Sequence, residues 1–274
     1  MSLNDLWCYI EQLNNSAYIE ELPVRSLSAT HLLLWPGPNE RVYDIHRLSV
    51  TIERQGCSYT THPIDITYLE PYLNTTWQNF RDQPDFIQIA VLDAVLPSLP
   101  MATKPFEIAR CQKPLWTKSL WRADTLVKNI KRLIATLNCP TPRVALVGYS
   151  DVIFYALKKI QVAVDVFDLD PRVINKTLVD STVIQHGEAF FAGEPTYDVL
   201  VVTGMTLANG TFWNLREFCC SFKTLIVMYA QTGGHLGSVM VELGVDLFVG
   251  ECLPFYYEDG LSEINVYFSN NYHF

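Results

Sequence analysis

A chain of 274 residues, 49% hydrophobic and 18% charged, is long enough for two cores and too apolar to be disordered. Its formal net charge of −9 argues against a nucleic-acid backbone or an anionic membrane as the main partner. No apolar run approaches the ~18 residues that span a bilayer, and Met1–Leu6 carries neither Lys nor Arg, so neither a membrane segment nor a secretory signal is expected.

Cys8, Cys57, Cys111, Cys139, Cys219, Cys220 and Cys252 are odd in number and scattered, which favours a reducing cytoplasm over a disulfide framework. In chain order, Leu3, Leu6, Trp7, Ile10 and Leu13 recur at helical spacing, and Asn14-Asn15-Ser16 would end that helix. His31–Trp35 reads as a short strand broken by Pro36-Gly37-Pro38-Asn39. Val42–Ile45 and Leu48–Glu53 alternate apolar with polar, with a turn at Gln55-Gly56 before Ser58–Thr61, which predicts an antiparallel sheet with one wet face. Phe86–Leu96 is apolar almost all round, as a buried helix is. Residues 97–114 hold Pro97, Pro100, Pro105 and Pro114 and read as a linker between an α+β unit, 1–110, and a second unit, 111–274.

A helix is expected over about Ser119–Leu137, closed by Asn138–Pro142, with Lys128, Lys131 and Arg132 on its solvated face. Val144–Val147 then reads as a strand buried on both faces and stopped by Gly148, with Ser150 or Asp151 placed to cap the next helix. Val162–Phe167, Thr182–Ile184, Asp198–Thr203, Thr224–Tyr229 and Asp246–Val249 follow at helix-length intervals. This alternation predicts α/β architecture: a Rossmann-like parallel sheet with helices on both faces.

In such a sheet ligands bind beyond the carboxyl ends of the strands. The candidates are therefore Gly148, Tyr149 and Ser150; Asp168 and Asp170; Thr203 and Gly204; Asn209 and Thr211; and Gly233 in Gln231-Thr232-Gly233-Gly234-His235. The Gly148-to-Asp168 spacing suits an acid that meets a ribose hydroxyl, but Gly148-Tyr149-Ser150-Asp151 lacks the GxGxxG glycines, and no GxxxxGK[ST] loop or GxSxG elbow occurs. Thr203-Gly204 and Asn209-Gly210-Thr211 could offer backbone N–H groups to an anion, or form an ordinary strand-to-helix turn. Cys219 and Cys220 must point apart on a helix; His31, His46, His62 and His186 show no ligand spacing; and His235 reads as a ligand, a proton carrier or, most simply, a loop residue.

Val147-Gly148-Tyr149, Phe167-Asp168-Leu169-Asp170-Pro171, Tyr197 through Thr211 and Leu243 through Gly250 resemble the family named "putative heavy-metal chelation" over about residues 143–252. That resemblance implies an enolase-like N-terminal domain, a Rossmann-like C-terminal domain and a site in the cleft between them. Ile89–Ala94 resembles the family's helix, with Asp93 where an asparagine is expected. Gln231-Thr232-Gly233-Gly234 stands where the family tends to a Gly-Pro-Ser loop.

The reading that results is a cytoplasmic protein binding a small anionic or metal-chelating ligand in that cleft, with a role in heavy-metal handling; the cofactor is left unassigned, a metal ion or metal chelate being open. An enzyme using an adenosine-type cofactor, as a methyltransferase does, is the rival, and a non-catalytic scaffold or subunit is the third reading. No catalytic residue or metal ligand is assigned, and homo-oligomerisation is left open.

Overall fold

The computed structural model describes residues 2–13, 23–34, 43–99, 104–137, 139–192, 197–252 and 260–272. The expected breaks at Asn14–Ser16 and Pro36–Asn39, together with Asn138, lie outside them.

The chain opens with α1 (Leu3–Leu13), whose Leu3, Leu6, Trp7 and Ile10 form its buried face as their spacing predicts. Three antiparallel strands follow, β1 (Ser26–Leu34), β2 (Tyr43–Thr51) and β3 (Gln55–Thr60), in the order β1-β2-β3. β2 is continuous where the sequence suggested two segments. Its turn into β3 falls at residues 52–54, so Gln55 and Gly56 belong to the strand instead of the turn. Gly56 stays in the ladder because β3 lies on the next helix: a Cβ there would sit 2.2 Å from the Ala94 nitrogen.

That helix, α2 (Asp85–Val95), is buried at every position from Ile87 to Val95. It runs between the antiparallel sheet and the helices of the second sheet, so no face is left for water.

The segment expected to be a linker contains β4 (Glu107–Cys111), which pairs antiparallel at the edge of the second sheet. Prolines at 105 and 114 bracket this strand instead of marking a gap between units. After α3 (Leu115–Ile134) come β5 (Arg143–Val147), α4 (Asp151–Lys159), β6 (Ala163–Asp168), β7 (Ile184–His186) and β8 (Val199–Thr203). The chain continues with α5 (Met205–Ala208), α6 (Thr211–Phe222), β9 (Leu225–Ala230), α7 (Gly237–Glu242), β10 (Leu247–Glu251) and β11 (Ser262–Phe268). The third parallel strand thus begins at Ile184, the residue where the sequence reading ended it.

The eight strands are ordered β4-β11-β10-β9-β8-β5-β6-β7. Counted among themselves, the six parallel strands run 3-2-1-4-5-6, the doubly wound Rossmann order, with β11 and β4 added antiparallel. Both faces are covered, which explains the near-continuous apolar runs: Val144, Leu146, Val199 and Val201 pack with α3 and α4, while Ala145, Leu200 and Val202 face the layer that holds α2, α6 and α7. Lys128 and Arg132 pair with Glu107 on the solvated face of α3. All seven cysteines are free, and on α6 Cys219 is buried while Cys220 is exposed.

One charge pair lies within this packing. Arg122 of α3 donates from Nε and Nη2 to the two carboxylate oxygens of Glu251 at 2.7 and 2.8 Å, and Gln231 Nε2 donates to Glu251 Oε2 at 2.7 Å. Glu251 is fully buried. Removing one member leaves the other charge buried, so Glu251→Ala is expected to destabilise the protein by about 3–5 kcal/mol in urea unfolding, where truncation of a surface pair costs about 1 kcal/mol or less.

Candidate functional site

The parallel sheet reverses its order between β5 and β8, and the sequence-predicted residues converge first at that point. Gly148 leaves β5 with φ +89°, where a side chain would be strained and its Cβ would lie 2.7 Å from Thr203 Oγ1 at the end of β8. The Gly148 N–H bonds to the Phe167 carbonyl at 2.9 Å. Asp168, buried at the end of β6, accepts the Tyr149 N–H on Oδ2 at 2.6 Å and the Asp170 N–H on Oδ1 at 2.8 Å. Its carboxylate therefore fastens the turn after β5 to the turn after β6.

Tyr149 is buried and its hydroxyl bonds to Asp151 Oδ1. Asp151 is 4% exposed, and its Oδ2 has no hydrogen-bond partner among the described residues. Ser150 occupies the N-cap position of α4 but makes no side-chain cap bond, so neither it nor Asp151 serves as the expected cap. Cations stand alongside: Arg172 donates from Nε to Asp170 Oδ1 at 2.9 Å and from Nη2 to Oδ2 at 2.8 Å, and Lys176 Nζ lies 6.0 Å from the Tyr149 ring centre.

Asn209 and Thr211 sit elsewhere. Asn209 Oδ1 accepts from both the N–H and the hydroxyl of Thr211, closing a local turn at the start of α6. Between them, Gly210 (φ +75°) lies against Asp85 in the first turn of α2. The Gly204 N–H is taken by the Tyr229 carbonyl at 2.8 Å. For these three residues the ordinary strand-to-helix turn accounts for the geometry.

Gly233 belongs to a third group. Its N–H donates to the Cys57 carbonyl at 3.0 Å, and the Tyr59 N–H donates to Thr232 Oγ1 at 3.1 Å, so the loop after β9 continues the hydrogen bonding of β3. Asp93 completes the seam: Oδ2 accepts the Cys57 N–H at 2.8 Å and Oδ1 the His235 N–H at 2.7 Å. His235 Nδ1 is 3.3 Å from Asp93 Oδ1, an ion-pair separation without the alignment of a good hydrogen bond. His235 is thus not a plain loop residue. Burial disfavours its charge, but the Asp93 carboxylate and then Cys252 prevail and raise its pKa to about 11. Burial, then Asp93, push the Cys57 thiol well above its ordinary range.

The sequence reading missed a cluster on the antiparallel sheet. His31 of β1 lies directly opposite His46 of β2, and Asp44 returns to the same face two residues along β2. His31 Nε2 is 2.8 Å from Asp44 Oδ1, and the two imidazoles stack with centres 4.4 Å apart. The His31 bond holds the Asp44 carboxyl below its usual range, and Arg172 at the end of β6 is close enough to add to that shift. Histidines 15 residues apart show no ligand spacing until the hairpin register is known; alternation in both strands was the one available signal.

These elements define an α/β protein in which a Rossmann-ordered sheet carries a small antiparallel α+β part at one side. Residues 134–250 match the model of the family described as "Putative heavy-metal chelation" (DUF364), in agreement with the resemblance seen in the sequence. The fold is similar to that of a DUF364 protein of unknown function from Desulfitobacterium hafniense, at 12% identity and TM-score 0.57, with 91% of this chain and 87% of that one covered. A second similar structure is the DUF364 protein of unknown function from Pyrococcus horikoshii, at 15% identity and TM-score 0.52, with 81% of this chain and 89% of that one covered. No curated protein matches the chain.

The His235 pair makes stability depend on pH. With its pKa raised to about 11 from the 6.5 of a free imidazole, the pair's contribution is complete below about pH 6.5 and declines as pH rises toward 11. The urea midpoint is expected to fall between about pH 7 and pH 10, and to fall less in His235→Gln.

Proposed function

We propose that this protein binds a small anionic or metal-chelating ligand where the carboxyl ends of β5, β6 and β8 face the antiparallel sheet, in a role in handling heavy metals. The observation that carries the reading is the buried Asp151 carboxylate at the start of α4, just beyond β5, whose Oδ2 lacks a partner among the described residues. A buried carboxylate oxygen calls for a donor or a cation, and a ligand hydroxyl or amine would supply the first, a chelated metal ion the second. Lys176, 6.0 Å from the Tyr149 ring centre, and Arg172, paired with Asp170, bring positive charge to these strand ends, where the anionic groups of a chelator would meet it. Arg172 also acts electrostatically on Asp44 of β2, in keeping with a ligand between the two sheets.

The adenosine-cofactor reading is weaker on the same geometry. Both oxygens of Asp168, the residue at ribose spacing, already receive backbone N–H groups. The partner in this reading is a small molecule or metal, not a nucleic acid or membrane, in keeping with the net charge of −9. No helix among the described residues is long and apolar enough to cross a membrane. Seven free cysteines suit a cytoplasmic setting.

Thermal-shift measurements with Zn²⁺ and Ni²⁺ citrate, S-adenosylmethionine and NAD, beside native mass spectrometry of the protein as purified, test the proposal. Stabilisation by a metal citrate, lost in Asp151→Asn and reduced in Thr203→Val, is the expected result. Stabilisation by the nucleotide cofactors alone would favour the enzyme, and a flat response throughout would leave the scaffold.

A further inference from the structure

We propose that His31, Asp44 and His46 form a three-ligand site for a divalent first-row transition ion, of which Zn²⁺ and Ni²⁺ are the natural probes. Its donors come from the β1–β2 ladder alone, none of them from the strand ends of the parallel sheet.

Each part of the argument is geometric. His31 and His46 are register partners, so their side chains rise from the same face of the sheet, and Asp44 joins them by strand alternation. One ligand atom from each of the three lies within 4.8 Å of the other two, a span that small side-chain rotations close around an ion. The imidazoles now stack at 14° between planes; their in-plane lone pairs converge when the rings tilt apart, a motion that the exposure of this face allows. The side chains of His31 and Asp44 are 53% and 48% exposed, so an ion reaches them from solvent and the protein need not bury a charge to hold it.

The chemistry of the set selects the metal. Two imidazole nitrogens and one carboxylate oxygen suit Zn²⁺, Ni²⁺, Co²⁺ and Cu²⁺, whereas Mg²⁺ and Ca²⁺ prefer oxygen throughout. Three protein ligands also leave at least one position for water or for an incoming chelator. A hydrogen bond between His31 and Asp44 would by itself need no second imidazole, and the stacked His46 is what makes the group a ligand set. The neighbouring cation, Arg172, is bound bidentate to Asp170, which offsets its repulsion of an incoming ion. Leu33, across from Asp44 on the same face, brings no charge of its own.

Calorimetric titration of the EDTA-stripped full chain with Zn²⁺ and with Ni²⁺ tests the site, with Co²⁺ absorption as a second measurement on the unaltered protein. The expected result is one equivalent bound, a cobalt spectrum of nitrogen and oxygen ligation, and no competition from Mg²⁺. His31→Ala, Asp44→Ala and His46→Ala should each weaken binding at least as much as the roughly 10–100-fold that loss of an outer-shell partner costs. His62→Ala and His186→Ala should bind as the unaltered chain does. Absence of binding, survival of the equivalent in the His31→Ala/His46→Ala double variant, or equal loss in the two control variants would overturn the proposal. Circular dichroism of each variant separates a lost ligand from a lost fold.

Discussion

The carboxylate of Asp93 is the constraint on which the arrangement of the two sheets depends. It sits on a helix with no exposed face, and each of its oxygens is given to a different partner: one to the backbone of β3, the other to the backbone of the loop after β9. A buried carboxylate is costly unless it is hydrogen-bonded and paired, and here His235 provides the opposite charge from within that same loop. Helix, antiparallel sheet and parallel sheet therefore meet at one side chain, and the direct bonds between β3 and residues 231–233 follow from it. The chain departs from its family resemblance at two places, residue 93 and the loop at 231–234, and in three dimensions Asp93 bonds to His235, the residue that follows that loop.

A second carboxylate plays a comparable part at the strand ends. Asp168 occupies the position that would hold a ribose in a dinucleotide-binding sheet, yet it ties two turns of its own backbone together. The glycine before it is needed for closeness to Thr203 and for its left-handed backbone, and a phosphate does not enter into either requirement. Topology and ligand are thus separable here: the strand order is that of a cofactor-binding sheet, while the residues at its mouth are those of a braced turn beside an aspartate with one oxygen unpartnered among the described residues.

Most of the parallel sheet was legible in the sequence because burial on both faces leaves unbroken apolar runs, as at Val144–Val147 and Val199–Val202. β4 and β11 escaped notice because Glu107, Arg110 and Glu263 interrupt their apolar residues, and β4, at the edge of the sheet, alternates exposed with half-buried positions. Proximity to strand ends picked out Gly148, Tyr149, Asp168 and Thr203, which the fold brings together, and the same rule drew in Asn209 and Thr211, whose side chains satisfy each other. What the sequence withheld was non-local. His31 meets His46 only through a hairpin register, and Asp93 meets His235 across 142 residues, a distance no spacing rule covers.

The early position of β4 sets an order of events for the growing polypeptide. Its ladder partner is β11, and the ion pair between Arg110 and Glu263 closes an interval of 153 residues. Glu107 is meanwhile within reach of Lys128 and Arg132, only 21 and 25 residues on. On a ribosome, α3 can thus hold β4 by charge before β11, the strand that completes its hydrogen bonds, has been made.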